Sequence, residues 1–162
     1  MLIRRVEPAE HAAVGEVTVA ANAAYLAGEA GPGPYAERLR DTATRDREAE
    51  VWVAVADDGA LLGTVTICPS GSPLREIGRD GESEFRMLAV APDAQRHGVG
   101  EALVRFVVDR GRAAGHRAVV LCSLDRQHGA HRLYERLGFR RLPDRDWSPR
   151  PGISLLAFRL EL

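Results

Sequence analysis

The chain has no lysine: all 22 basic residues among its 162 are arginine. A nucleoside-triphosphate loop of the GxxxxGKS/T type, which needs a lysine on the phosphates, is therefore excluded. Cysteine is scarce. Cys68 and Cys122 stand far apart without metal-ligand spacing, and both read as small apolar core residues of a reducing compartment. No apolar run approaches the ~20 residues that a membrane-spanning helix needs, and no charged-then-apolar leader opens the chain. Internal repeats, low-complexity tracts and linkers are missing as well. The expectation is one soluble, cytoplasmic domain over residues 1–162, with neither membrane nor nucleic acid as a partner.

The composition that remains is that of a globular domain large enough to bury a core, at 45% hydrophobic and 28% charged. Its net charge of −1 hides an asymmetry. Residues 1–85 hold 8 Arg against 15 acidic residues, whereas residues 86–150 hold 13 against 7. A basic second half suits a polyphosphate ligand and an acidic first half a cationic amine, although uneven solvated surface charge accounts for the split equally well.

The chain is organised around residues 84–104, EFRMLAVAPDAQRHGVGEALV. Phe85, Met87, Ala89 and Ala91 alternate with Arg86, Leu88 and Val90, the period of a strand, and Pro92 ends it. A helical pattern follows, with Val99, Leu103, Phe106 and Val107 on one face. Between them lies Gln95-Arg96-His97-Gly98-Val99-Gly100. The first four amides of a helix lack internal partners and carry the positive end of its dipole. Gly98 and Gly100 let an anion approach the backbone, and Arg96 adds a charge that pairs with phosphate. The turn is a candidate pyrophosphate cradle. Spacing alone does not separate that reading from a glycine-assisted turn that binds nothing.

Around this stretch the pattern predicts a strand at residues 2–6 and an alanine-rich helix from Pro8 to about Ala27. A glycine- and proline-rich break follows over Gly28–Pro34, then a shorter helix over Tyr35–Arg47. Strands at 51–55 and 61–67 flank Asp58-Gly59 as a hairpin, and Pro69–Gly81 is a long loop. The helix from His97 closes near Gly115. A strand at 117–122 then completes a β-α-β crossover, and a helix over 125–137 ends at Gly138. Residues 139–141 begin a strand, 145–152 form a loop, and 153–160 form the last strand. The fold class is mixed α/β.

Gln95, Gly98 and Gly100 fill the three fixed positions of motif A of the GNAT N-acetyltransferase superfamily: Gln or Arg, then Gly three residues on, then Gly or Ala two further. Ala130, Leu133, Tyr134, Gly138 and Phe139 match the family's motif B, A-x-x-L-Y-x-x-x-G-F. Two motifs in the right order are far more specific than either one, and the element order resembles the family over nearly the whole chain. The resemblance implies a central mixed sheet of about six to seven strands flanked by about four helices. It also implies acetyl-coenzyme A as cosubstrate with no metal.

On this resemblance the pyrophosphate lies on the turn formed by Gln95, Arg96, His97, Gly98, Val99, Gly100 and Glu101. The pantetheine arm adds along a bulged strand at Leu88, Ala89 and Val90, where strands splay apart. Tyr134 takes the general-acid position, protonated at neutral pH because a phenol titrates near ~10. From periodicity alone it is more simply a packed aromatic. Glu84 takes the position of a base glutamate and of an acceptor contact. A carboxylate needs burial or an intervening water for that task, and Glu82 or a water on backbone carbonyls is an alternative. Many members carry Asn seven residues before the tyrosine; here Gln127 stands in its place and offers the same groups on a longer stem. Tyr25 and Tyr35 are candidates to line the acceptor pocket, with Trp52 more simply core. His128 and His131 are three apart on a helix but lack a third ligand.

The implied activity is direct acetyl transfer to a primary amine, a small molecule first. The alternatives are a protein N-terminus or lysine as acceptor, or a coenzyme-binding module without turnover. A homodimer is a further possibility that the family raises.

Overall fold

The computed structural model describes residues 1–26 and 33–162. The break expected over Gly28–Pro34 falls mostly on residues 27–32, outside the described residues. Five α-helices are described: α1 (His11–Leu26), α2 (Pro34–Arg40), α3 (Thr42–Glu48), α4 (Val99–Ala113) and α5 (His128–Arg136). They pack on an eight-stranded mixed sheet of β1 (Leu2–Arg5), β2 (Glu50–Val55), β3 (Leu61–Cys68), β4 (Glu82–Val90), β5 (Ala118–Leu124), β6 (Arg140–Arg141), β7 (Trp147–Arg150) and β8 (Ile153–Glu161). Strands β1 to β4 form an antiparallel run, β5 lies parallel to β4, and β8 pairs antiparallel with β5. The short strands β6 and β7 both attach to β8. Among the described residues no helix is long and apolar enough to cross a membrane.

Side-chain period explains the layers. In β2, Val51, Val53 and Val55 point to the face where Val6 and Val14 of the α1 layer close a small core. Ala54 and the partly buried Trp52 belong to the larger core on the opposite face. Strand β3 is buried on both faces from Gly63 to Cys68, as befits a central strand covered on each side. Helix α4 supplies Val99, Leu103, Val104, Val107 and Val108, spaced three and four apart, to the larger core.

Two boundaries differ from the sequence reading. The single helix expected over Tyr35–Arg47 is two, because Asp41 interrupts it and its carboxylate accepts the Thr44 amide at 3.0 Å, starting α3 afresh. The loop expected over residues 145–152 contains β7. Its Pro149 is tolerated because β7 pairs on one side only, so the missing N–H breaks no ladder.

Two features open the sheet where the chemistry is expected. Thr64 faces Ala89 and Thr66 faces Arg86, so Met87 and Leu88 together oppose the single Val65. This extra residue is a β-bulge, and Met87 takes a left-handed φ of 50° to accommodate it. Strands β4 and β5 pair only over Glu82–Glu84 with Ala118–Val120. Beyond that point β5 stays with β8 as far as Leu124, and β4 continues without a strand partner on its β5 side.

Buried arginines fasten the frame. Arg45, 3% exposed, donates to Thr42 and Thr18 hydroxyls at 2.8 and 3.3 Å, to the Leu39 carbonyl at 3.1 Å, and to Thr66 at 3.4 Å. It ties α1, α2 and α3 to β3, and burial pulls its pKa down to about 10. Glu82, fully buried, receives Arg145 at 2.6 Å and Arg159, which joins β4 to β8 and to the segment before β7.

Candidate active site

A cavity of about 460 Å³ lies where β4 and β5 part. Its walls come from Asn22 and Tyr25 of α1, Tyr35, Arg38 and Leu39 of α2, and Phe85 to Leu88 of β4. Cys122 to Leu124 of β5, Gln127, Ala130 and Tyr134 around α5, and Trp147, Ile153 and Leu155 of β7 and β8 also line it. Tyr25, Tyr35, Leu88, Gln127 and Tyr134 thus reach one cavity from four elements distant in sequence.

Tyr134 is held by three aromatic rings: Phe85, Phe139 and Phe158 lie with centroids 6.1, 5.9 and 5.7 Å away. The tilted and edge-on contacts fix the ring while its end reaches the cavity wall. No described residue hydrogen-bonds its hydroxyl. Burial pushes its pKa up, so the phenol keeps its proton throughout the working pH range.

The motif-A turn precedes α4. Arg96 and Gly98 both take left-handed backbone angles, φ 65° and 81°, on either side of His97. Alternating handedness of this kind turns successive amides toward one point, the geometry of an anion nest. The amide of Ala102 finds the Gly98 carbonyl at 2.9 Å, the first bonded amide of the helix; those from Arg96 to Glu101 precede it. A Cβ at Gly98 would meet no atom within 4 Å, so the surface above the turn is open. Arg96 and His97 are exposed beside it, whereas Val99 is buried and can offer only its backbone. Glu101 is not free for a ligand: Arg105 and Arg136 hold its carboxylate at 2.9 and 3.0 Å, and these bonds, Arg136 first, draw its pKa down. Gln95 donates to the Val90 carbonyl at 3.4 Å, binding the turn back to β4. Ala89 is buried against β3 and leaves the free β5-side edge of β4 to its main chain. Turn, open β4 edge and cavity fit a ligand with a pyrophosphate, an extended amide-bearing arm and a reactive end.

Glu84 does not take the place expected of a base. Its side chain is fully buried and outside the cavity wall, and its oxygens accept the amides of Glu76, Ile77 and Gly78 at 2.9, 3.1 and 2.6 Å. The carboxylate is spent on the loop backbone and organises the stretch between β3 and β4. Glu82 is similarly committed. Burial pushes its pKa up, but bonds from Arg145, the Arg79 amide and Arg159 outweigh that and hold it at about 2. The carboxylate that does line the cavity is Glu76, which sequence reasoning missed. It pairs with Arg86, whose other nitrogen donates to the Leu74 carbonyl at 2.8 Å. Burial raises the pKa of Glu76 in spite of Arg86.

Gln127 is also occupied. Its amide oxygen accepts Ser123 Oγ at 2.8 Å and the Leu124 amide at 3.1 Å, and its nitrogen donates to Asn22 Oδ1 at 3.3 Å. It joins β5 and α1 across the cavity, and it brings in Asn22, another residue that carried no signal in the sequence. The acidic first half of the chain does not make an acidic cavity. Of the five charged residues on its walls, Arg38, Arg86, Arg126 and Arg150 are basic and only Glu76 is acidic. Among the described residues no cluster of three or more His, Cys, Asp or Glu is placed to hold a metal.

The architecture has known counterparts. A solved acetyltransferase of the GNAT family from Staphylococcus aureus superposes with a TM-score of 0.75 at 13% identity, covering 99% of this chain and 98% of that one. The protein yncA of Salmonella typhimurium, solved with its cofactor acetyl-CoA, superposes at 0.65 with 24% identity, covering 100% of this chain and 94% of that one. The mycothiol acetyltransferase of Cellulomonas flavigena is 33% identical over 121 residues, which are 67% of this chain. The match spans 33% of that enzyme's length, and 38% and 62% of two further curated relatives. The model of the acetyltransferase (GNAT) family matches residues 17–139, taking in the second part of α1, the splayed strands, the α4 turn and Tyr134, and the chain belongs to that family.

Proposed function

We propose that the chain transfers an acetyl group from acetyl-coenzyme A to a primary amine of a small molecule, within a ternary complex. The observation that carries this reading is the free β4 edge linking the amide nest at Arg96–Glu101 to a closed-in cavity that holds both Tyr134 and Glu76. Acetyl-coenzyme A supplies an activated carbonyl carbon and a thiolate leaving group. The amides from Arg96 to Glu101 bind its pyrophosphate, with Arg96 and His97 at the rim, and the main chain at Leu88, Ala89 and Val90 orients the arm. Asn22 and Gln127 flank the arm.

Glu76 accepts the proton that the attacking ammonium must lose, its basicity raised by burial. The nitrogen lone pair forms the new bond to the carbonyl carbon and the carbon–sulfur bond breaks. Tyr134 delivers its proton to the departing sulfur, and the second proton shed by the new amide nitrogen passes through solvent to restore the phenol. Glu84 acts by holding Glu76 in place. A cavity of about 460 Å³ suits a small acceptor better than a folded protein surface.

The test is release of the coenzyme thiol over a panel of amines. Tyr134→Phe is expected to lower kcat by about 10²-fold or more, and Glu76→Gln to lower kcat/KM by a similar factor, with unchanged binding of acetyl-coenzyme A. The acid limb of the wild-type pH profile should lie above the ordinary carboxylate range and vanish in Glu76→Gln. Wild-type rates in both variants would remove the proposed acid and base.

A further inference from the structure

The charges on the cavity wall are unbalanced. Arg86 is paired with Glu76, Arg126 donates to the Tyr25 carbonyl at 3.0 Å and Arg150 has an interaction of its own, so none of the three is spare. Arg38 is different. It is exposed on α2 and, among the described residues, has no carboxylate within the 4.0 Å of an ion pair. It follows Tyr35 by three positions, which places both side chains on one helix face toward the cavity. Tyr35 is half-buried, and the charges that act on its phenol are Arg86, Arg38 and Arg150 on one side and Glu76 on the other. A purely cationic acceptor would bring its charge against this excess of guanidinium. An acceptor carrying an anion beside its amine would satisfy both signs, with its amine toward Glu76 and its anion on Arg38. Around this polar corner the wall is apolar, with Met87, Trp147 and Leu155.

Resting on the acetyl-transfer reading above, we propose that the acceptor is an amino acid with an apolar side group, whose carboxylate is bound by Arg38 together with the Tyr35 hydroxyl. Arg38 is then the residue that sets acceptor class. Its planar guanidinium grips a carboxylate through two parallel bonds, and Tyr35 remains a donor because its phenol stays protonated. An amide in place of the carboxylate forfeits the charge-assisted bonds.

The decisive experiment is calorimetry at saturating coenzyme A with N-acetyl-L-phenylalanine, N-acetyl-L-leucine and N-acetyl-L-methionine, each beside its carboxamide. At least one acid is expected to bind about tenfold or more tightly than its amide. That ratio should fall to near one in Arg38→Gln and be partly kept in Arg38→Lys, with unchanged melting temperature in both variants. Equal binding of acid and amide, no binding of any acid, or an unaltered ratio in Arg38→Gln would overturn the proposal. Failure of the underlying reading looks different: acids bind with the expected preference, yet no amine, including free phenylalanine, leucine and methionine, releases thiol from acetyl-coenzyme A.

Discussion

Two glutamates two residues apart on β4 show how little a side chain's type says about its task. Glu82 and Glu84 both turn into protein and both are fully consumed, one by guanidinium groups and one by amides. Because Glu82 is held at about 2 against an ordinary 4.5, its contribution to stability is complete above about 4.5 and is lost as the pH falls toward 2. Acid titration of folding should therefore show a loss across that window that is absent from Glu82→Gln. At neutral pH Glu82→Gln should cost about 3–5 kcal/mol by denaturant melts, since it leaves Arg145 and Arg159 without their buried partner. At this scale the placement of Tyr134 on a helix face and of Gly98 at a helix start was legible in the sequence, because both depend on local spacing, while the role proposed for Tyr134 came from the family resemblance alone. Glu76 was not. Its position depends on three backbone bonds to Glu84, and nothing in the spacing of Pro69–Gly81 records which way that loop is pulled.

Among the elements, strands with strict alternation and helices with a clear apolar stripe read correctly, β2, β3 and α4 above all. The errors fall where a single polar contact or an edge position decides. Asp41 divides α2 from α3 by capping, and β7 survives a proline because it is an edge strand. The layer of α1, α2 and α3 is packed closely at Gly15, where an added Cβ would sit 2.4 Å from the Arg40 carbonyl oxygen. Gly15→Ala should push α1 off that oxygen and cost about 1–3 kcal/mol, measured as a lower denaturation midpoint at unchanged slope. Because Asn22 and Tyr25 lie on α1 and Tyr35 and Arg38 on α2, the same variant should weaken acceptor binding more than coenzyme binding.

In the whole molecule, the sheet parts between β4 and β5, and the proposed function depends on that gap. A bulge at Met87–Leu88 bends β4, the β4–β5 ladder stops after three pairs, and β8 rather than β4 supports the rest of β5. The gap leaves an unpaired main-chain edge leading from an amide nest to a cavity with a fixed phenol and a loop-borne carboxylate. If the nest is the anchor, affinity must reside in the pyrophosphate part of the ligand, and removing that part must cost far more than removing the acetyl group. The most direct measurement is calorimetric titration of the folded chain with coenzyme A and with pantetheine, which keeps the arm and lacks the pyrophosphate. Saturable heat is expected with coenzyme A, binding of pantetheine at least about 100-fold weaker, and most of the difference lost in Gly98→Val, where a β-branched residue cannot hold the left-handed turn. Equal binding of the two ligands, or no heat from coenzyme A, would contradict it.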